Sequence, residues 1–96
     1  MILTVLSAMA EPTRLEAMRI LSDGSEHCVC ELMKRLGATQ SRMSRHMQVL
    51  KQAGLVTDRR DAQWVRYRLN PALPPELDAV VAAVFRAAQS QERSAA

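Results

Sequence analysis

The sequence predicts a mainly α-helical domain that carries one β-hairpin. Over most of the chain, apolar residues recur every three or four positions, which is typical of helices that bury one face. Between residues 55 and 69 the period changes to two, which is typical of paired strands. The 96 residues fit a single domain, residues 1–96, and 48% of them are hydrophobic. That share is more than a domain of this size easily hides, so we expect a homodimer.

Two helices are predicted at the start of the chain. The first spans residues 2–9, where the apolar residues have helical spacing. Glu11-Pro12 then marks a new start, because proline is favoured in the first turn of a helix. Leu15, Met18 and Leu21 form the core stripe of the second helix before Ser22-Asp23-Gly24-Ser25 breaks the pattern. The opening apolar run is short and lacks a basic start, so it does not indicate a secretion signal, and we expect a cytoplasmic protein.

The next two helices are short and close together. One is predicted over residues 28–36, with Asp23 or Ser25 as candidate caps and Gly37 as its stop. Thr39 is expected to cap the other, over residues 40–53, whose apolar positions fall on one side and leave the far side polar.

A hairpin and a last helix complete the prediction. The strands cover residues 55–60 and 63–69, and the helix covers residues 76–91. Alanine resists the positive φ of a two-residue turn, so we expect a longer or differently shaped tip at Asp61-Ala62-Gln63.

Basic residues concentrate around the predicted helix pair and hairpin. Nine of the thirteen basic residues lie between Lys34 and Arg68, a segment whose only acidic residues are Asp58 and Asp61. Two short helices joined by a glycine-containing turn, the second with a polar face, form a helix-turn-helix, and the hairpin adds a wing. This winged helix-turn-helix predicts binding to double-stranded DNA. The expected contacts are Gln40, Ser41, Arg42, Ser44, Arg45, His46, Lys51, Arg59, Arg60 and Arg66.

Three motifs resemble the ArsR/SmtB family of winged-helix, metal-responsive repressors. They are AEPTRLEAMRIL (residues 10–21), CVCELMKRLGATQSRMSRHMQVLKQAGLV (residues 28–56) and WVRYRLNP (residues 64–71). The resemblance covers nearly the whole chain. It implies three helices, a recognition helix, two strands and a final helix, assembled as a dimer through the first and last helices, residues 1–9 and 76–91. The interface residues that this implies are Ile2, Leu3, Leu6, Leu77, Val80, Val81, Val84 and Phe85. It also implies a repressor that leaves its operator when an inducer binds.

Both cysteines lie at the start of the third predicted helix, as Cys28-Val29-Cys30. A bridge at this spacing would need strain, so we expect reduced thiols, which are soft ligands. The motif is similar to arsenic-responsive members of the family, which implies trivalent arsenic or antimony, As(III) or Sb(III), as inducer at Cys28 and Cys30. The family's frequent third cysteine would fall at Met33. The third ligand is then a small thiol, a hydroxide or His27, and no organic cofactor is expected.

Helix geometry suggests how an inducer acts. Side chains two residues apart in a regular helix point about 200° apart, so capture of one ion by both thiols should require an unwound first turn. We hypothesise that this distortion weakens the support of the recognition helix and lowers DNA affinity.

Other functions remain open. A redox- or persulfide-responsive repressor of the same fold is the main alternative. A zinc sensor is less favoured, since residues 76–93 contain no histidine. A thiol enzyme lacks a phosphate-binding loop, a C-x-x-C pair and an evident general base, so we do not expect an enzyme. A purely structural dimerisation module would leave the basic segment unexplained.

Overall fold

The computed structural model describes residues 1–95 and confirms the mainly helical fold with a β-hairpin. Along these residues the chain forms five helices and one three-stranded antiparallel sheet, with strand order β1-β3-β2. The elements are α1 (Ile2–Met9), α2 (Pro12–Leu21), β1 (His27–Cys28), α3 (Val29–Leu36), α4 (Gln40–Gln52), β2 (Val56–Asp61), β3 (Trp64–Leu69) and α5 (Pro75–Ala95). No helix within residues 1–95 is both long enough and apolar enough to cross a membrane.

Local signals in the sequence set the ends of the first helices. Helix α2 begins with Pro12 in its first turn, and the carboxylate of Glu11 accepts a hydrogen bond from the Arg14 backbone N–H at 2.8 Å. This cap satisfies one of the backbone donors that a helix start leaves free. The buried stripe of α2 is Ala17, Met18 and Leu21, which meets the inner side of α1 in the core.

Helices α3 and α4 form the predicted helix-turn-helix. Gly37 ends α3 with a φ of 65°, a left-handed conformation that glycine adopts without steric cost. The hydroxyl of Thr39 then accepts a hydrogen bond from the Arg42 backbone N–H at 3.3 Å and caps α4, as predicted. Leu32, Met43, Met47 and Leu50 are fully buried, so the pair is fixed by the hydrophobic core.

The start of α3 differs from the prediction. The helix begins at Val29, and Cys28 precedes it in an extended conformation with φ −66° and ψ 144°. His27 and Cys28 form the short strand β1, opposite Tyr67 and Arg66 of β3. The prediction of a two-stranded hairpin therefore missed a third strand. The prediction of Asp23 or Ser25 as the cap was wrong, because the Cys28 sulfur accepts the Cys30 backbone N–H at 3.1 Å.

The wing tip also differs from the prediction. Asp61 pairs with Trp64 across the hairpin, so the connection is the two-residue turn Ala62-Gln63. Ala62 adopts the positive φ, 57°, that the prediction held it would resist. Six paired positions between β2 and β3 set the register, and we attribute the acceptance of Ala62 to this pairing. At the other end of the domain, α5 runs from Pro75 to Ala95 and is longer than predicted.

Candidate nucleic-acid interface and cysteine site

The polar face of α4 presents most of the residues expected to read DNA. Gln40, Ser41, Arg42 and Arg45 have exposed side chains, and Ser44 is half-buried beside them. These are residue types that bind base edges or phosphates, and the N-terminal half of a recognition helix is where base contacts are usual. The outer face of α4 is therefore available for groove contact, while Met43, Met47 and Leu50 anchor its inner face.

The remaining basic candidates are arranged by ion pairs within the chain. Lys51, near the end of α4, lies 3.0 Å from an oxygen of Asp58 on β2 and so links the recognition helix to the wing. Arg66 donates from Nε to Asp61 at 2.8 Å, which lowers the pKa of that carboxyl. Arg60 is exposed and takes part in no ion pair within residues 1–95. The wing thus combines Arg60, which lies outside these ion pairs, with Arg66, whose charge is already offset by a carboxylate.

His46 is less accessible than the other expected contacts on the outer face of α4. Its side chain is only 20% exposed and points toward α2 rather than outward. The ring Nδ1 lies 3.2 Å from a guanidinium nitrogen of Arg14, which can only donate, so Nδ1 is the acceptor. Arg14 in turn donates from Nε to the Ala8 carbonyl at 2.6 Å. His46 therefore joins α4 to α2, a structural role.

The two cysteines form a disulfide, contrary to the expectation of free thiols. Their Cα atoms are 5.1 Å apart, within the range that disulfides require. The expectation assumed that residues this close in sequence rarely reach the Cα distance that a bridge requires, and the backbone here does reach it. Cys28 lies before α3, and the extended backbone there turns its sulfur toward that of Cys30. The two sulfurs are in contact while α3 is intact. An inducer therefore does not need the unwound first turn that the hypothesis required.

The environments of the two sulfurs differ. Cys28 is 8% exposed and belongs to the hydrophobic core, whereas Cys30 is exposed at the first turn of α3. A reagent from solution therefore reaches the pair through Cys30. A helix N-terminus also favours the thiolate over the thiol once the bond is reduced.

His27 has no nitrogen free to serve as a third ligand. Its Nδ1 lies 2.9 Å from the carboxylate of Glu31, and its Nε2 lies 2.8 Å from that of Asp23. Burial lowers the pKa of the ring, but these hydrogen bonds outweigh it and the pKa of His27 is raised. Within the described part of the chain, no three His, Cys, Asp or Glu side chains are grouped to hold a metal ion. The site thus offers two soft sulfur donors and leaves any third position to solvent or a small ligand.

The expected dimer surface is mostly open in the single chain. Ile2, Leu3 and Leu6 of α1 are 44%, 77% and 42% exposed, which is unusual for large apolar side chains. On α5, the predicted interface residues Leu77, Val80, Val84 and Phe85 are half-buried. Val81 is 3% exposed and packs into the chain's own core, so its assignment to the dimer interface was wrong. Inward-facing and outward-facing apolar residues alternate on one helix, and periodicity alone did not separate them.

Glu26 is a residue that the sequence reasoning did not assign. Its two carboxylate oxygens lie 3.0 and 2.7 Å from Nε of Arg59 on β2, and this hydrogen bond lowers the pKa of Glu26. Arg66 and Arg68 also act electrostatically on the carboxylate. The sequence signal that could have identified Glu26 was its position as an acidic residue directly before the extended His27-Cys28 segment. Without knowledge of strand β1, nothing placed it against the wing.

Comparison with known sequences finds one family model over this region. Residues 11–58, which include α2, α3, α4 and the cysteine pair, match the model for bacterial regulatory proteins of the arsR family. The arsenic resistance transcriptional regulator ArsR1 of Pseudomonas putida is 40% identical over 88% of this chain and 66% of its own length. The arsenical resistance operon repressor of Escherichia coli is 36% identical over 86% of this chain and 71% of its own.

Solved structures share the fold. HlyU from Vibrio cholerae is 37% identical, with a TM-score of 0.75, over 88% of this chain and 87% of its own. A second neighbour is Mb0332 from Mycobacterium bovis, described as a homodimeric winged helix-turn-helix DNA-binding domain and a possible ArsR-family regulator. It is 25% identical with a TM-score of 0.77, over 97% of this chain and 82% of its own. The present chain spans 66% and 61% of the length of two regulators of Pseudomonas putida, ArsR1 and ArsR2.

Proposed function

Because the chain belongs to the arsR family of bacterial regulatory proteins, we propose that it is a DNA-binding repressor of a metalloid resistance operon. The family and the relatives are transcriptional regulators, which confirms the expectation that the chain is not an enzyme. In the proposal, the outer face of α4 reads operator DNA in the major groove and the wing contacts the flanking backbone. The protein would act in the cytoplasm, where that DNA lies.

The observation that carries the proposal is the meeting of two sulfurs at the start of α3. Reduction of the disulfide yields a pair of thiols on a backbone that already brings them together. Two neighbouring thiolates are a donor set for a soft trivalent ion, and As(III) or Sb(III) is the inducer we propose. Exposed Cys30 gives the ion access, and a small cellular thiol or hydroxide would complete the site because His27 is engaged by Asp23 and Glu31.

Titration of the DNA complex with arsenite under reducing conditions tests the proposal. The parent should bind the DNA upstream of its own gene, as measured by fluorescence anisotropy, and should dissociate when arsenite is added. Cys28→Ser and Cys30→Ser should still bind this DNA but should keep it in the presence of arsenite. Ser25→Ala, in the loop before β1, is the matched control and should respond as the parent does. A cysteine variant that releases DNA normally would overturn the proposal.

The disulfide itself favours a second candidate, a redox-responsive repressor. With hydrogen peroxide as oxidant, the two thiols would give up two protons and two electrons, and the peroxide would leave as two molecules of water. In this candidate, peroxide or a persulfide donor releases the reduced protein from DNA. Arsenite does not release it, even when it occupies the cysteine pair to the same extent. Alkylation of free thiols followed by mass spectrometry measures the state of the pair in each DNA-binding sample, so the two candidates are separable.

We further propose that the repressor is a homodimer joined through α1 and α5. Exposed Ile2, Leu3 and Leu6, with half-buried Phe85, supply an apolar surface that a second copy would cover. Sedimentation equilibrium measures the assembly. Leu3→Glu should yield monomers, and Thr4→Glu on the same exposed helix is a control for the added charge. A monomeric parent at micromolar concentration would contradict the proposed assembly.

A further inference from the structure

Three strands bring the cysteine pair and the basic wing into one row of residues. Cys28 of β1 is opposite Arg66 of β3, and Arg66 is opposite Arg59 of β2. Glu26 stands two residues before Cys28, directly ahead of β1. The carboxylate of Glu26 holds Arg59 through both of its oxygens, at 2.7 and 3.0 Å from Nε. Glu26 thus connects the segment directly before the cysteine pair to Arg59 of the wing.

The segment that carries Glu26 is short, and the link from Cys28 to Cys30 is one of its attachments to α3. Strand β1 contains only His27 and Cys28, so the sheet alone holds it by few hydrogen bonds. The link from Cys28 to Cys30 adds a covalent attachment to α3, a helix anchored by fully buried Leu32. When the pair is linked, Glu26 is held against the wing by this additional attachment. When the pair is open, the segment keeps the strand pairing and the hydrogen bonds of His27 to Asp23 and to Glu31 of α3. In the structure the linked pair and the Glu26–Arg59 ion pair occur together.

A phosphate and the Glu26 carboxylate compete for the same guanidinium. Both are anions that pair with arginine, and Arg59 is 56% exposed on the wing expected to contact the DNA backbone. Because the Glu26 carboxylate already offsets the charge of Arg59, a phosphate gains less from this guanidinium while Glu26 holds it. A Glu26 that is firmly placed therefore makes the exchange more costly and lowers DNA affinity, whereas a mobile Glu26 gives up the arginine readily.

We propose that Glu26 couples the cysteine pair to the wing: a bridge between Cys28 and Cys30 fixes Glu26 on Arg59 and withholds that arginine from DNA. The inference rests on the proposed function, since a bound metalloid is one such bridge and a disulfide is the other. Glu26 is a positioning residue in this scheme, because it contacts neither the inducer nor the DNA. The recognition helix need not move, which agrees with the intact first turn of α3.

Operator affinity of Glu26→Gln, with and without arsenite, tests the coupling. One phosphate contact carries a salt slope of roughly 0.9, which corresponds to about 8-fold in Kd at 0.1 M salt. We therefore expect the arsenite-induced rise in Kd to be smaller than that of the parent by up to about 8-fold. Arg59→Gln should lose the same part of the response, and the double variant Glu26→Gln/Arg59→Gln should behave as Arg59→Gln alone. Glu76→Gln, an exposed carboxylate at the start of α5, is the matched charge control and should respond as the parent does.

Three outcomes separate the inference from the function on which it rests. The amount of arsenite retained by each variant, measured by elemental mass spectrometry, should equal that of the parent. If Glu26→Gln binds arsenite and loses DNA as fully as the parent and Glu76→Gln do, the coupling is wrong and the proposed function stands. If arsenite does not release the parent, the metalloid function fails, and the same variants are compared after peroxide closes the disulfide. Equal release of Glu26→Gln and the parent by peroxide, or no release of either, then overturns the coupling.

Discussion

The recognition helix and the wing present the two basic surfaces of the molecule, but different forces hold them in place. Helix α4 is anchored by Met43, Met47 and Leu50, all fully buried. The wing is a hairpin whose outer side chains are arranged by exposed ion pairs, such as Arg66 with Asp61. Burial of apolar side chains contributes several kcal/mol at such positions, whereas exposed ion pairs contribute about 1 kcal/mol or less. The face of α4 expected to contact DNA is therefore rigidly held, whereas the outer side chains of the wing can exchange their ionic partners. Regulation is expected to act on the wing.

The largest expected effect tests the rigid side of this comparison. Met47→Ala removes a fully buried side chain from the inner face of α4 and should lower the free energy of unfolding by about 2 to 5 kcal/mol. Gln48→Ala, exposed on the same helix, should change it by about 0.5 kcal/mol or less. Urea denaturation followed by circular dichroism measures both. A cost below about 1 kcal/mol for Met47→Ala would mean that the core does not fix the recognition helix.

The second prediction separates the free and the neutralised arginines of the wing. Arg60→Gln removes an exposed cation outside the ion pairs of residues 1–95, and should weaken operator binding about 8-fold at 0.1 M salt and reduce the salt slope by about one. Arg66→Gln should cost less, because Asp61 already offsets the charge of Arg66. Arg86→Gln, exposed on α5, controls for the loss of charge. Equal losses for Arg60→Gln and Arg66→Gln would remove the distinction between the two kinds of arginine.

The third prediction concerns the cap that starts the recognition helix. Thr39→Ala leaves the Arg42 backbone N–H without the hydroxyl that accepts it, and should lower stability by about 1 kcal/mol. Ser41→Ala, an exposed position in the first turn of the helix, is the control and should be close to neutral in the same urea titration. An equal effect of the two substitutions would show that the cap contributes little beyond what the buried face of α4 already provides.

The same contrast explains which features the sequence could predict. The helix pair was predictable because the Gly37 stop of α3 and the period and Thr39 cap of α4 are all local signals, and the structure confirms them. Strand β1 was not, because His27 and Cys28 are extended only through pairing with β3, far along the chain. The sulfur–sulfur contact and the position of Glu26 follow from that strand, so both were missed. The contact of His46 with Arg14 was missed for a related reason: Arg14 belongs to another helix, and no local pattern reports that contact.

The smallest expected effect lies at the wing tip, where the sequence and the backbone disagree. Ala62 has a φ of 57°, a conformation that costs an L-residue with a Cβ roughly 1 kcal/mol and costs glycine almost nothing. Glycine also gains entropy in the unfolded chain, so Ala62→Gly should stabilise the domain by only about 0.5 kcal/mol. Gln63→Gly, at the neighbouring position without a positive φ, should destabilise it by a similar amount. Thermal unfolding of both variants gives the two signs. If both substitutions destabilise, the tip does not hold Ala62 in the left-handed region, and the pairing of β2 with β3 is less firmly set than the hairpin register implies.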